Sequence, residues 1–235
     1  MVAIPSMAQT ATEYDVKLKN KLHMNIQVCT DGIFRVRISP RAKYAENLML
    51  RYNVQKKDWS KVACQTTDKD GMMTIATAKY LLSVNKKDGS ISVADKAGRT
   101  IVDRISYLKG SDPLLASLGK EINAKYADMK VEKNSGIIGD VKTTAAAKDT
   151  AETGEYAKCS IINFSLKPSE RFYGGGSTSR EHIQHRGEIL RMWTTYQHTE
   201  IPQPMLVSSN GWGVFNNTTL KHFFDIGRHQ KDIMS

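Results

Sequence analysis

Cysteine, long apolar runs and clustered charge are what this sequence has least of, and each absence removes a class of protein. The three cysteines in 235 residues, Cys29, Cys64 and Cys159, cannot all pair with one another. None has the close spacing of a zinc or redox motif, so buried free thiols are expected, with one disulfide left open. No apolar run approaches the ~20 residues that a membrane-spanning helix needs. The chain is basic, at a formal +10, yet Lys17, Lys19, Lys21, Lys56, Lys57, Lys86 and Lys87 are spread along it rather than gathered into one arm. They read as solvated strand faces and loops, and neither nucleic acid nor a membrane is expected as a partner. No internal repeat of useful length is visible.

What is present is enough apolar residue, 40%, to build a real core in one large domain or two small ones. Residues 1–12 have two readings. Ser6 and Ala8 fit the small residues before a secretory cleavage at Gln9, so the chain would begin inside an export signal; the alternative is an ordinary disordered terminus. From Tyr14 onward the pattern has period two. Tyr14, Val16 and Leu18 alternate with polar residues, as do Leu22, Met24, Ile26 and Val28, and Phe34, Val36 and Ile38 alternate with Arg35 and Arg37. Asp31-Gly32 between the last two runs predicts a hairpin, because glycine supplies the positive φ of tight turns. Arg41 to Trp59 is less regular and reads as a connection with one short strand at most, Trp59 being a core or rim aromatic. Met73, Ile75 and Thr77 lead into Tyr80–Val84, and turns at Lys87-Asp88-Gly89 and Asp95-Lys96-Ala97-Gly98 follow. Turn signals at this spacing predict an all-β sandwich or barrel. A short helix is expected at 112–122, with Asp112-Pro113 at its start, and an exposed insertion or a long hairpin over 130–155. Strand character returns from Ala157 to Leu166.

The densest glycine and aromatic usage follows: Glu170-Arg171-Phe172-Tyr173-Gly174-Gly175-Gly176, then Arg186-Gly187, Met192-Trp193, Ile201-Pro202, and Gly211-Trp212-Gly213-Val214-Phe215-Asn216-Asn217. Three consecutive glycines pack poorly. They imply either a flexible loop or a backbone that takes positive φ or passes close to something beside a sheet. These pieces, in this order, resemble the N-terminal β-sandwich domain of glycoside hydrolase family 31, the α-glucosidase and α-xylosidase group. The resemblance covers most of Met24 to Phe224 and is specific from Glu170 onward. It implies a mainly β, antiparallel β-supersandwich of the galactose mutarotase-like kind over residues 13–235, stopping before its last strands. In that family the retaining carboxylate pair sits on a (β/α)₈ barrel. A barrel needs about 250 residues, and the Trp-x-Asp nucleophile motif is missing, since Lys61, Thr195 and Val214 follow Trp59, Trp193 and Trp212 at that position.

The resemblance therefore implies an accessory domain with no catalytic residue, metal or cofactor of its own. Its partners would be its own catalytic barrel and, in the full-length enzyme, an oligosaccharide. A rim loop over Thr195, Tyr196, Gln197 and His198 would touch sugar; Thr194 and Tyr196 replace the family's usual asparagine and aspartate there. Phe172, Tyr173, Gly174, Gly176, Arg186, Gly187, Trp193, Gly211 and Gly213 would be structural, the three glycines forming the tight exit of a strand. An isolated domain of this kind would show an apolar interdomain face to water. Two other classes compete. A free-standing carbohydrate-binding module would use Trp59, Trp193, Tyr196 and Trp212 as aromatic platforms. A sugar mutarotase needs a histidine and a glutamate converging on a sugar ring, for which His182 or His185 with Glu188 are the candidates. His182 and His185 at i, i+3 have no carboxylate or cysteine pattern to complete a metal site.

Overall fold

A computed structural model describes residues 13–44, 48–109, 160–177, 182–193, 201–220 and 222–235. The sequence-derived helix at 112–122, the insertion at 130–155, the rim loop, the N-terminal segment and Cys159 lie outside them. The chain divides into two compact units, Met1–Ser106 with Asn163–Ser235, and Tyr107–Ile162. Of the smaller unit the described part is two strand ends, joined by a 3.0 Å hydrogen bond between the Tyr107 and Ser160 hydroxyls.

The larger unit is an antiparallel β-sandwich. Strands β1 (Glu13–Lys17), β2 (His23–Thr30) and β3 (Ile33–Ser39) make one meander, and the Asp31-Gly32 turn joins the last two as expected. Strands β4 (Gln65–Lys69), β5 (Met72–Ala76), β6 (Tyr80–Asn85), β7 (Ile91–Asp95) and β8 (Thr100–Lys109) are consecutive neighbours in a seven-stranded sheet. β9 (Ser160–Ser165) and β15 (Ile233–Met234) complete it beyond β8. β10 (Phe172–Gly176), β12 (Pro202–Ser208) and β13 (Gly213–Phe215) form a third sheet, and β11 (Ile189–Met192) pairs with β14 (His222–Asp225).

Period-two patterning explains the first meander only in part. Met24, Ile26 and Val28 are fully buried, but the opposite face of β2 also buries Asn25. That amide is satisfied within its own sheet row: it donates to Asp15 at 2.9 Å and accepts from Arg37 Nη2 at 2.6 Å, the residues paired with it on either side. Val36, in contrast, is 36% exposed although it alternates with arginines. β4 carries no apolar alternation at all, being a polar edge strand; its only sequence mark is the Asp70-Gly71 turn, both residues at positive φ. Among its described residues, the 41–59 connection holds one helical turn, α1 (Leu48–Arg51), and no strand. Thr77 is a turn residue, not a strand residue: its hydroxyl donates to Asp31 O at 2.8 Å and ties the two hairpins together.

The main core is built where the seven-stranded sheet faces the later strands. Val102, Phe164 and Met234 pack with Phe172, Leu190, Met192, Leu206, Phe224 and Ile226, all 9% exposed or less. Cys29 and Cys64 are buried free thiols, and burial pushes both thiols up from their ordinary value.

Candidate functional site

The motif stretch folds as one hydrogen-bonded assembly around Glu170. A turn after β9 holds Glu170, with Lys167 N–H donating to Oε2 at 2.9 Å. The carboxylate is buried, at 2% exposure. Its Oε1 accepts from Trp212 Nε1 at 2.6 Å and from the Ser208 hydroxyl. A buried carboxylate is tolerable only when donors surround it, and these three meet that condition. Glu170 therefore ties the β9–β10 turn to the β12–β13 turn. It is a strut, with no face open to a substrate.

Phe172 is fully buried, and Trp212 lies between aromatic partners: stacked on Phe164 at 5.7 Å and edge-on to Phe172 at 5.6 Å. Trp212 is thus partly buried and packed against the core. Trp193, 43% exposed, and Trp59, half-buried with Lys56 Nζ 4.9 Å over its ring, remain at the surface.

The glycine run makes up the last three residues of β10, still paired with β12. Gly174, Gly175 and Gly176 all have positive φ, at 115°, 76° and 74°. A Cβ on Gly174 would fall well inside 3.0 Å of Met205 O, and one on Gly176 well inside 3.0 Å of Ile201 O. Register explains the crowding. Gly174 pairs with Leu206 and Gly176 with Pro202, so two steps of β10 face four of β12. The excess is taken up around Pro204, which has no N–H to place in the ladder. The close approach is to a neighbouring strand, not to a ligand.

Arg186 and His185 lock this strand to the next segment. The Arg186 guanidinium donates to the carbonyls of Lys167 at 3.3 Å, of Glu170 at 3.5 Å and of Lys231. Gly187, at φ 85°, turns the chain so that its N–H reaches Ile226 O at 2.7 Å. His185 is buried, its Nε2 3.1 Å from Gly174 O and its Nδ1 2.8 Å from Glu188 Oε2. A carbonyl only accepts, so Nε2 carries a hydrogen. His185 and Glu188 do converge, but both ring nitrogens are engaged internally, and no approach to a sugar ring is left. His182 is exposed and does not join them. Among the described residues no group of three His, Cys, Asp or Glu side chains is placed to hold a metal ion.

Two histidines lie on or just beyond β14. His229 Nδ1 pairs with the buried Asp225 at 2.7 Å. His222 gives its Nδ1 hydrogen to Leu220 O at 2.8 Å, while its buried Nε2 has no partner. Burial lowers the His222 imidazole from its ordinary value.

Sequence reading did not identify the outer face of the β10-β12-β13 sheet. Alternate residues there point away from the core: Tyr173 opposite Val207, and Met205 opposite Phe215. They are 36, 45, 46 and 41% exposed. On the inner face Phe172 and Leu206 are fully buried. The sheet is apolar on both sides. The signal was present in Met205-Leu206-Val207, a continuous apolar run of the kind strands show when both faces are covered.

No curated protein matches the chain. Solved structures do. An α-xylosidase from Xanthomonas citri aligns over 93% of this chain and 20% of its own length, at 17% identity and a TM-score of 0.59. A dextranase from Flavobacterium johnsoniae, complexed with isomaltotriose, aligns over 98% of this chain and 25% of its own, at 15% identity and 0.58. An α-xylosidase from a soil metagenome, complexed with xylose, aligns over 96% and 29%, at 12% identity and 0.57. These likenesses show the fold, and this chain spans a minor part of each enzyme. The glycosyl hydrolase 31 N-terminal galactose mutarotase-like domain model matches residues 23–225, in agreement with the motif assembly and the sandwich. The chain belongs to that family of N-terminal domains of glycoside hydrolases.

Proposed function

We propose that this chain is the accessory N-terminal domain of an exported, retaining α-glycosidase acting on α-linked glucosides or xylosides. Its outer β10-β12-β13 face is covered by the catalytic domain, and its 195–198 loop stands at the rim of the active site. The observation that carries the reading is the two-sided apolar sheet. A face that exposes Tyr173, Met205, Val207 and Phe215 together is costly in water and marks a surface that packs against another domain. The chemistry would be supplied by the covering domain, where a carboxylate pair about 5 Å apart gives retention. Glu170 and Glu188, engaged in internal hydrogen bonds, are not that pair.

Turnover of aryl α-glucosides and α-xylosides, measured on the parent enzyme and on residues 1–235 alone, tests the assignment. Hydrolysis by the parent only is expected. Robust turnover by residues 1–235 would refute it. Export is tested by N-terminal sequencing from the native host, where a mature form retaining Ile4 would exclude cleavage before Gln9.

A further inference from the structure

Lysines that look scattered in the sequence meet in space at the β1–β2 connection. Lys17, Lys19, Lys21 and His23 line, with Leu18, an open hollow of about 400 Å³, within the size range of small-molecule sites. No carboxylate is among the lining residues. Acidic side chains on β1, on β4 and in the 86–89 turn are engaged elsewhere: Asp15 accepts from Asn25, Asp68 pairs with Lys86, and Asp88 pairs with Arg104 and Ser90. Among the described residues no carboxylate lies within ion-pair distance of Lys17, Lys19 or Lys21.

The connection is rigidly seated. Lys19 N–H donates to Lys86 O at 2.8 Å, and Asn20 Nδ2 donates to Asp88 O at 3.3 Å. Gly89 makes the seating possible, since a Cβ there would stand 2.6 Å from Leu18 Cδ1. Lys21 takes the left-handed conformation, φ 66°, that the last position of a three-residue hairpin loop requires, with its N–H on Leu18 O at 3.2 Å and Leu18 N–H on Leu22 O at 2.8 Å. Asn20, the residue better suited to it, sits one position earlier and uses its side chain to accept Leu22 N–H at 3.1 Å. Three lysines and a histidine thus share one hollow without a carboxylate to neutralise them.

We propose that this hollow binds an anionic sugar, with Lys17, Lys19 and Lys21 contacting its carboxylate groups. The lining offers no aromatic ring on which a nucleobase would stack, and the hollow is too small to seat a duplex. The choice of a sugar as carrier of the charge rests on the proposed glycosidase reading.

The test is calorimetric titration of the whole chain at low salt with an oligogalacturonate, a neutral malto-oligosaccharide and inorganic phosphate. Binding of the oligogalacturonate alone, weakened by added salt, is expected. The Lys17→Gln, Lys19→Gln, Lys21→Gln triple variant should lose roughly tenfold in affinity with an unchanged melting temperature. A matched triple variant at the exposed Lys43, Lys57 and Lys96 should bind as the parent does. Equal weakening by the matched variant would reduce the effect to net charge and overturn the site. So would equal binding of phosphate, tighter binding of a short DNA duplex, or no binding at all. Should the parent enzyme prove inert to α-glycosides while the oligogalacturonate still binds at these lysines, the hydrolase assignment fails and the site stands.

Discussion

At the residue scale, Gly174 and Gly176 are required twice over, by backbone conformation and by space. Their positive φ alone disfavours any side chain, and the atoms a Cβ would strike belong to the backbone of β12 and of Ile201 just before it, which cannot move aside. Gly211 separates the two effects, because it has φ 82° with nothing within 4 Å of an added Cβ. Gly211→Ala should therefore cost about 1 kcal/mol, and Gly176→Ala about 2–4 kcal/mol, read from urea midpoints. Equal costs would show that the packing against Ile201 O does not matter. His222 supplies a second residue-scale expectation. Its folded imidazole is held below 6.5 by burial, so the unfolded chain binds more protons as pH falls below about 6.5. The stability due to its neutral form is present above 6.5 and is lost on acidification. In His222→Asn, which keeps a donor for Leu220 O and does not titrate, the melting temperature should fall less between pH 7 and 5 than in the parent. Parallel curves would remove His222 as a source of that dependence.

At the element scale, what distinguishes this sandwich is the three-stranded sheet with two apolar faces. The inner face belongs to the core through Phe172 and Leu206, and its removal would unfold the domain. The outer face contributes only half-exposed cross-strand pairs, Tyr173 with Val207 and Met205 with Phe215, so substitutions there act mainly on association. Val207→Lys combined with Phe215→Glu should change the stability of residues 1–235 by within about 0.5 kcal/mol while lowering its binding of an apolar dye. In the parent enzyme the same pair should lower the melting temperature and the yield of active protein. A parent enzyme indifferent to the pair would show that another surface makes the interdomain contact. Strand β12 also shows how elements evade sequence reading. Pro202 and Pro204 argue against a central strand, yet β12 lies between β10 and β13 because its proline stretch falls where the ladder is already out of register. β4 evaded it for the opposite reason. An edge strand needs no buried face, so Gln65–Lys69 carries no alternation to detect.

At the scale of the whole molecule, the chain spans 20 to 29% of the length of the solved xylosidases and the dextranase it resembles. It presents an apolar face and a basic hollow, and Glu170, His185 and Glu188 are occupied holding turns together. By itself the sequence determined the strand-rich class, the hairpins at Asp31-Gly32, Asp88-Gly89 and Ala97-Gly98, and the family, because alternation, turn chemistry and motif order are local properties of the chain. Only the tertiary structure decided what the motif residues do. Glu170, Trp212 and Arg186 act on partners 38, 42 and 45 positions away, and no local pattern records such distances. The same holds for Gly174 to Gly176, whose three positive φ values answer to the backbone of β12, and for Lys17, Lys19 and Lys21, whose setting depends on the turn at 86–89 that seats them.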